Sequence, residues 1–120
     1  METEKKKYDL EDRTLAFSKS IRDFIKTCPK SVTNTVYMRQ LARSSSSVGA
    51  NYIEANDSIG AKDKLMRIRI CRKEAKESVY WLKLIDTNND NDVNRSELIK
   101  EANELMLILG AILKKLSNTN

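Results

Sequence analysis

The chain has 120 residues, 40% of them hydrophobic and 32% charged, with 22 Lys and Arg against 17 Asp and Glu for a net charge of +5. Only three Gly and one Pro are present, which argues against a turn-rich β-sandwich and favours long helices in a single domain. There is no His, so Ser-His, Cys-His and His-metal mechanisms are all excluded.

Residues 1–8 begin METEKKK, too charged for a signal peptide, and read as a flexible basic N-terminal tail. A single domain is expected over 9–117, with 118–120 a frayed C-terminus. The first apolar stripe is Leu10, Thr14, Phe17, Ile21, Phe24 and Cys28, whose spacing places all of them on one helical face. Pro29 stops that helix. The second stripe runs through Met38, Leu41, Val48, Tyr52 and Ala55, with Ser31 or Thr33 as its cap. Its centre, Ser44 to Ala50, is nearly all small residues. Alone it is a poor helix former, and it makes sense where another helix backbone comes close.

Gly60 marks the next break. The third stripe is Leu65, Ile68, Ala75, Val79 and Leu82, widened by Tyr80, Trp81, Leu84 and Ile85. It predicts about 26 residues of helix, about 39 Å long. An Asn/Asp-rich turn follows from Asp86 to Asn94, and Asn94 with Glu97 has capping-box spacing. The last stripe is Leu98, Ala102, Leu105, Leu109, Ile112 and Leu116. Four such segments with short connections predict an all-α, antiparallel up-and-down four-helix bundle. Met66, Ile70, Trp81, Leu84, Ile99, Met106, Ile108 and Leu113 lie off the stripes. They predict either an interface in a homo-oligomer or a wider core in a monomer.

Charge is concentrated on the third helix. Between Lys62 and Lys83 stand eight basic residues and three acids, an excess equal to the net charge of the whole chain. Lys62, Arg69, Lys76 and Lys83 recur every seven residues, and Arg72 and Lys73 fill the turns between them. The ridge is about 32 Å long. It suits the phosphate backbone of RNA or DNA. The alternative is a solvated helix face with local pairs such as Lys73 with Glu77. No aromatic residue interleaves with the row, so base stacking is not expected.

Asp86 to Glu97 reads DTNNDNDVNRSE, a calcium-loop pattern with Asp86, Asn88, Asp90 and Glu97 as candidate ligands. Asn91 replaces the usual Gly, and an Asn/Asp-rich interhelical turn explains the same letters. Cys28 and Cys71 stand in no ligand spacing and read as reduced core thiols. The longest apolar run, Leu105 to Leu109, is far short of a membrane span, so a cytoplasmic chain without cofactor or membrane partner is expected. No nucleophile, base and cofactor loop can be assembled, so a non-enzymatic role is expected.

The segments LEDRTLAFSKSI from Leu10, RQLARSSSSVGANYIEA from Arg39 and CRKEAKESVYWLKLI from Cys71 resemble the four-helix bundle family of 23S rRNA intervening-sequence proteins. Arg43, Asn51, Glu54, Glu74, Tyr80 and Trp81 fall on its motif positions and read as structural. Asn51, Glu54, Lys73 and Glu74 are expected to meet as a hydrogen-bonded network inside the bundle. The resemblance implies ring-like homopentamers without enzymatic activity. Through a related branch, the accessory proteins of diversity-generating retroelements, it also implies nucleic acid and a reverse transcriptase as partners. The Asn/Asp-rich turn is not part of the family pattern.

Overall fold

In the computed structural model, four helices follow one another: α1 (Glu2–Thr27), α2 (Val32–Asn56), α3 (Ala61–Leu84) and α4 (Asp92–Asn118). A single 3-10 turn at Asn89–Asn91 precedes α4. The structure describes residues 2–118, with side chains from Leu10 onward except at position 89. The expected tail at 1–8 coincides with the first turns of α1. Met1 and the tail side chains lie outside the described residues, as do 119 and 120 of the expected frayed end. Among the described residues there is no strand, and no helix is long and apolar enough to cross a membrane.

The helix ends follow from local chemistry. α1 stops two residues before Pro29. Ser31 caps α2, its hydroxyl accepting from the Asn34 amide at 3.1 Å. Buried Asn34 ties that end to the segment just after α3, donating to the Pro29 and Asp86 carbonyls and accepting from the Asp86 amide at 2.7 Å. At the end of α3, Ile85 turns extended, and Arg95 reaches over from α4 to the orphan carbonyls of Leu82 (3.2 Å) and Ile85 (2.7 Å).

The capping box expected at Asn94 and Glu97 is not formed, because α4 already begins at Asp92. Asn91 turns inward instead: it is buried, donates to the Thr27 hydroxyl and accepts from Asn94 at 3.0 Å. A contact with α1, distant in sequence, thus fixes where α4 starts.

The widest contact is between α2 and α3, then α3 with α4 and α1 with α2; α1 and α4 touch lightly. The cross-helix pairs run in consistent order. Ser18 meets Ser45 and Glu11 meets Asn56; Ser44 meets Ser78 and Asn51 meets Arg67.

The core has two apolar clusters. Phe17, Ile21, Phe24, Leu41, Leu82 and Leu105 anchor one; Val48, Ala55, Ile68, Cys71, Ala75 and Leu109 form the other. Each fully buried Leu or Ile stabilises the fold by about 1.5–3 kcal/mol before chain entropy is counted. Thr14, Ser44, Ser45, Glu74 and Ser78 are also buried. No buried side-chain nitrogen or oxygen among the described residues lacks a hydrogen-bond partner.

The small segment of α2 does admit close neighbours. A Cβ on Gly49 would lie 3.0 Å from the Thr14 hydroxyl oxygen of α1 and 3.2 Å from its Cβ. The Ser44 and Ser78 hydroxyls meet at 2.8 Å.

The off-stripe apolar residues divide. Trp81, Ile99, Met106 and Leu113 pack against the core clusters, whereas Met66 and Leu84 are exposed. Leu107, which lies on no stripe, is 74% exposed.

Candidate nucleic-acid interface

α3 has two contrasting sides. Toward α2 its polar groups are bonded in a shared network. Arg43 of α2 donates to Glu74 at 3.2 Å and to Glu77, and Glu77 also accepts from the Trp81 indole at 3.0 Å. Trp81 stacks on Tyr37 of α2, with centroids 6.2 Å apart and planes 24° apart. One turn pair further along, Arg67 donates to Asn51 at 3.0 Å, and Asn51 donates to the Ser47 carbonyl at 2.9 Å. The network therefore differs from the one expected. Asn51 and Glu74 are bonded to different arginines, while Glu54 and Lys73 are exposed and join neither. Arg43 and Arg67 were the missing partners, since a carboxylate or amide facing a neighbouring helix pairs with whatever cation that helix presents.

The other side carries Lys62, Arg69, Arg72, Lys73, Lys76 and Lys83, all exposed. At 3.6 residues per turn they fall within an arc of about 100° that turns toward α4. None of the six makes an ion pair or side-chain hydrogen bond among the described residues. The local pair of Lys73 with Glu77, which the alternative of a solvated face offered, is not formed; Arg43 and Trp81 hold the Glu77 carboxylate.

Two shallow grooves follow this arc. One of about 550 Å³ lies between α3 and α4, lined by Lys73, Lys76, Glu77, Val79, Tyr80, Lys83, Asn103 and Met106. The other, about 410 Å³, is bounded by Arg69, Arg72, Lys73, Lys76 and Leu113. Arg72 lies against the smooth patch that Gly110 leaves on α4; its Nε would be 3.9 Å from a Cβ there.

An aromatic side chain does stand in the basic row, contrary to the expectation from sequence. Tyr80 lines the larger groove and is 59% exposed. It stands four residues after Lys76 and three before Lys83, a spacing that returns to the same helical face. That spacing was visible in the sequence, but membership of the widened apolar stripe masked it.

Outside the Lys62–Lys83 segment basic and acidic residues balance, 14 against 14. Glu101 and Glu104 of α4 face α1, where Arg13 forks onto Glu101 at 2.7 and 2.8 Å and reaches Glu104 at 3.0 Å. The hydrogen bonds it donates to Glu101 hold the Arg13 guanidinium still more firmly charged than usual. A depression between α1 and α4 is lined by Asp23, Asn91, Asn94 and Glu97 with no cation, so it repels phosphate.

Among the described residues, Asp86, Asp90 and Glu97 do not form a group of three acidic side chains close enough to hold a metal ion together. Asn88 donates to the Thr27 carbonyl at 3.0 Å. Asp92 binds Thr87 at 2.8 Å and Arg95 at 3.1 Å, bonds that hold its carboxyl below the usual range. These contacts make the segment a tie between α1, α3 and α4. Both cysteines are free and buried, and burial pushes the Cys71 thiol up to about 12.

The 23S rRNA-intervening sequence protein family matches residues 6–111. A protein of unknown function from the S23 ribosomal protein family of Bacteroides thetaiotaomicron, known from a crystal structure, superposes with a TM-score of 0.74. It is 27% identical to this chain, over 87% of this chain and 97% of that one. Comparison with curated proteins finds no match. A match that spans all four helices places the chain in the 23S rRNA-intervening sequence protein family.

Proposed function

We propose that the chain is a non-enzymatic nucleic-acid-binding protein that docks RNA or DNA backbones on the α3 face turned toward α4. The observation that carries this reading is the six exposed cations on one arc with no acidic partner among the described residues. Unpaired cations bind phosphates without first breaking an internal ion pair, and each contact releases counterions. The order of the cross-helix pairs supports an antiparallel up-and-down path. The exposed Met66, Leu84 and Leu107 support self-association, and a ring would repeat the face and turn weak contacts into avidity.

The test is fluorescence anisotropy with a labelled DNA duplex, comparing the native chain with an Arg69→Glu/Lys76→Glu chain. The variant should lose binding while its helical circular dichroism and melting temperature stay unchanged. Equal affinity of the two chains refutes the assignment.

A protein partner, such as a reverse transcriptase, is the second reading. Leu107, 74% exposed and one turn beyond Asn103 of the larger groove, favours it. Capture of such a partner that survives nuclease and high salt would support that reading over the first.

A further inference from the structure

We infer that the groove between α3 and α4 is a single-stranded nucleotide site, in which an unpaired base stacks on Tyr80 and the flanking phosphates bind Lys73, Lys76 and Lys83. The inference rests on the proposed nucleic-acid reading and goes beyond it, since a row of cations alone does not distinguish a duplex from a single strand.

Four observations carry it. Tyr80 is 59% exposed although its neighbours Val79 and Trp81 are largely covered, so packing does not account for its ring. Its hydroxyl makes no hydrogen bond among the described residues, so an internal polar role does not account for it either.

The ring is nevertheless held in place. Trp81 meets it edge-on, with centroids 5.1 Å apart and planes at 74°. Trp81 is in turn fixed by its indole bond to Glu77 at 3.0 Å and by its stack on Tyr37. A ring fixed before binding loses little freedom when a base covers it.

Finally, Lys73, Lys76 and Lys83 line the same groove as Tyr80, together with Val79 and Met106. Glu77 is the one acid among the described lining residues, and Arg43 neutralises it. Cations around an exposed aromatic ring match a strand that offers both phosphates and a free base face. In a duplex those base faces are hidden in the stack, so paired strands reach the lysines and not the ring.

The experiment compares the native, Tyr80→Ala and Tyr80→Phe chains for binding to a labelled oligothymidylate and to a labelled DNA duplex. Tyr80→Ala should weaken oligothymidylate binding by about 5-fold to 100-fold and leave duplex binding unchanged, while Tyr80→Phe keeps both. The chain's single tryptophan adds a readout that needs no substitution: oligothymidylate should quench Trp81 emission in the native chain and the duplex should not.

Equal losses on both probes, no loss on either, or no quenching by oligothymidylate overturns the stacking site. Native binding to the duplex but not to oligothymidylate also overturns it and leaves the backbone reading standing. Binding to neither probe overturns both.

Discussion

One helix, α3, presents two surfaces built by opposite rules. On the side facing α2, Ser78 meets Ser44, Glu74 and Glu77 meet Arg43, Trp81 meets Glu77, and Arg67 meets Asn51. On the side facing α4, six cations are exposed without a partner among the described residues. Burial explains the first surface, because a polar group removed from water is costly unless it is bonded. Exposure permits the second but does not require it. Acids elsewhere in the chain are abundant, yet Glu101 and Glu104 face α1 and Glu77 faces α2. Their placement leaves the α4-facing arc with concentrated positive charge, which supports a role in attracting an anionic ligand.

The strongest way to break the comparison is to reverse charge on one side only. Arg69→Glu/Lys76→Glu should weaken binding to a DNA duplex by about 100-fold or more, read by anisotropy, with no loss of stability. Next is Gly49→Leu in the closely packed seam. It should cost about 1–3 kcal/mol in urea unfolding, because the new side chain must displace Thr14. Nucleic-acid affinity per folded molecule should not change.

Arg43→Ala should cost about 1–2 kcal/mol by the same measurement, since it strands the buried Glu74 carboxylate, discounted for the half-exposed guanidinium. Gly110→Ala sharpens the contrast with Gly49. The nearest atom to the new methyl would be Arg72 Nε at 3.9 Å, an ordinary contact, so the helix should gain about 0.5–1 kcal/mol.

The smallest effect appears only in alkali. Burial raises the folded Cys71 thiol from 9.0 to about 12, so the unfolded chain releases this proton first as pH rises. Stability should fall between those values, and a Cys71→Ala chain should show a shallower decline in denaturation measured across that range.

Much of the bundle is legible in the residues because burial has a period. Thr14, Phe17, Ile21, Phe24 and Cys28 are all buried, as are Leu98, Ala102, Leu105 and Leu109. The small run at Ser44 to Ala50 announced a close neighbour, and Gly49 against Thr14 supplies it. What periodicity cannot show is which of two acceptable partners a polar group takes. Glu77 had a local lysine four residues away and is bound by Arg43, 34 positions distant. The start of α4 was misplaced for the same reason, since Asn91 takes Thr27 of α1.

The basic row was legible down to its spacing. Tyr80 was assigned to the apolar stripe because residue type alone does not say which side of the stripe remains in water. Its 59% exposure among lysines is a property of the assembled α3–α4 pair.

The most direct test of the central claim is the salt dependence of duplex binding by the native chain. Each phosphate neutralised should add about −0.9 to the log–log slope, so engagement of the whole arc predicts a slope of about −5. A flat slope, or no binding at low salt, would contradict a phosphate-docking face on α3.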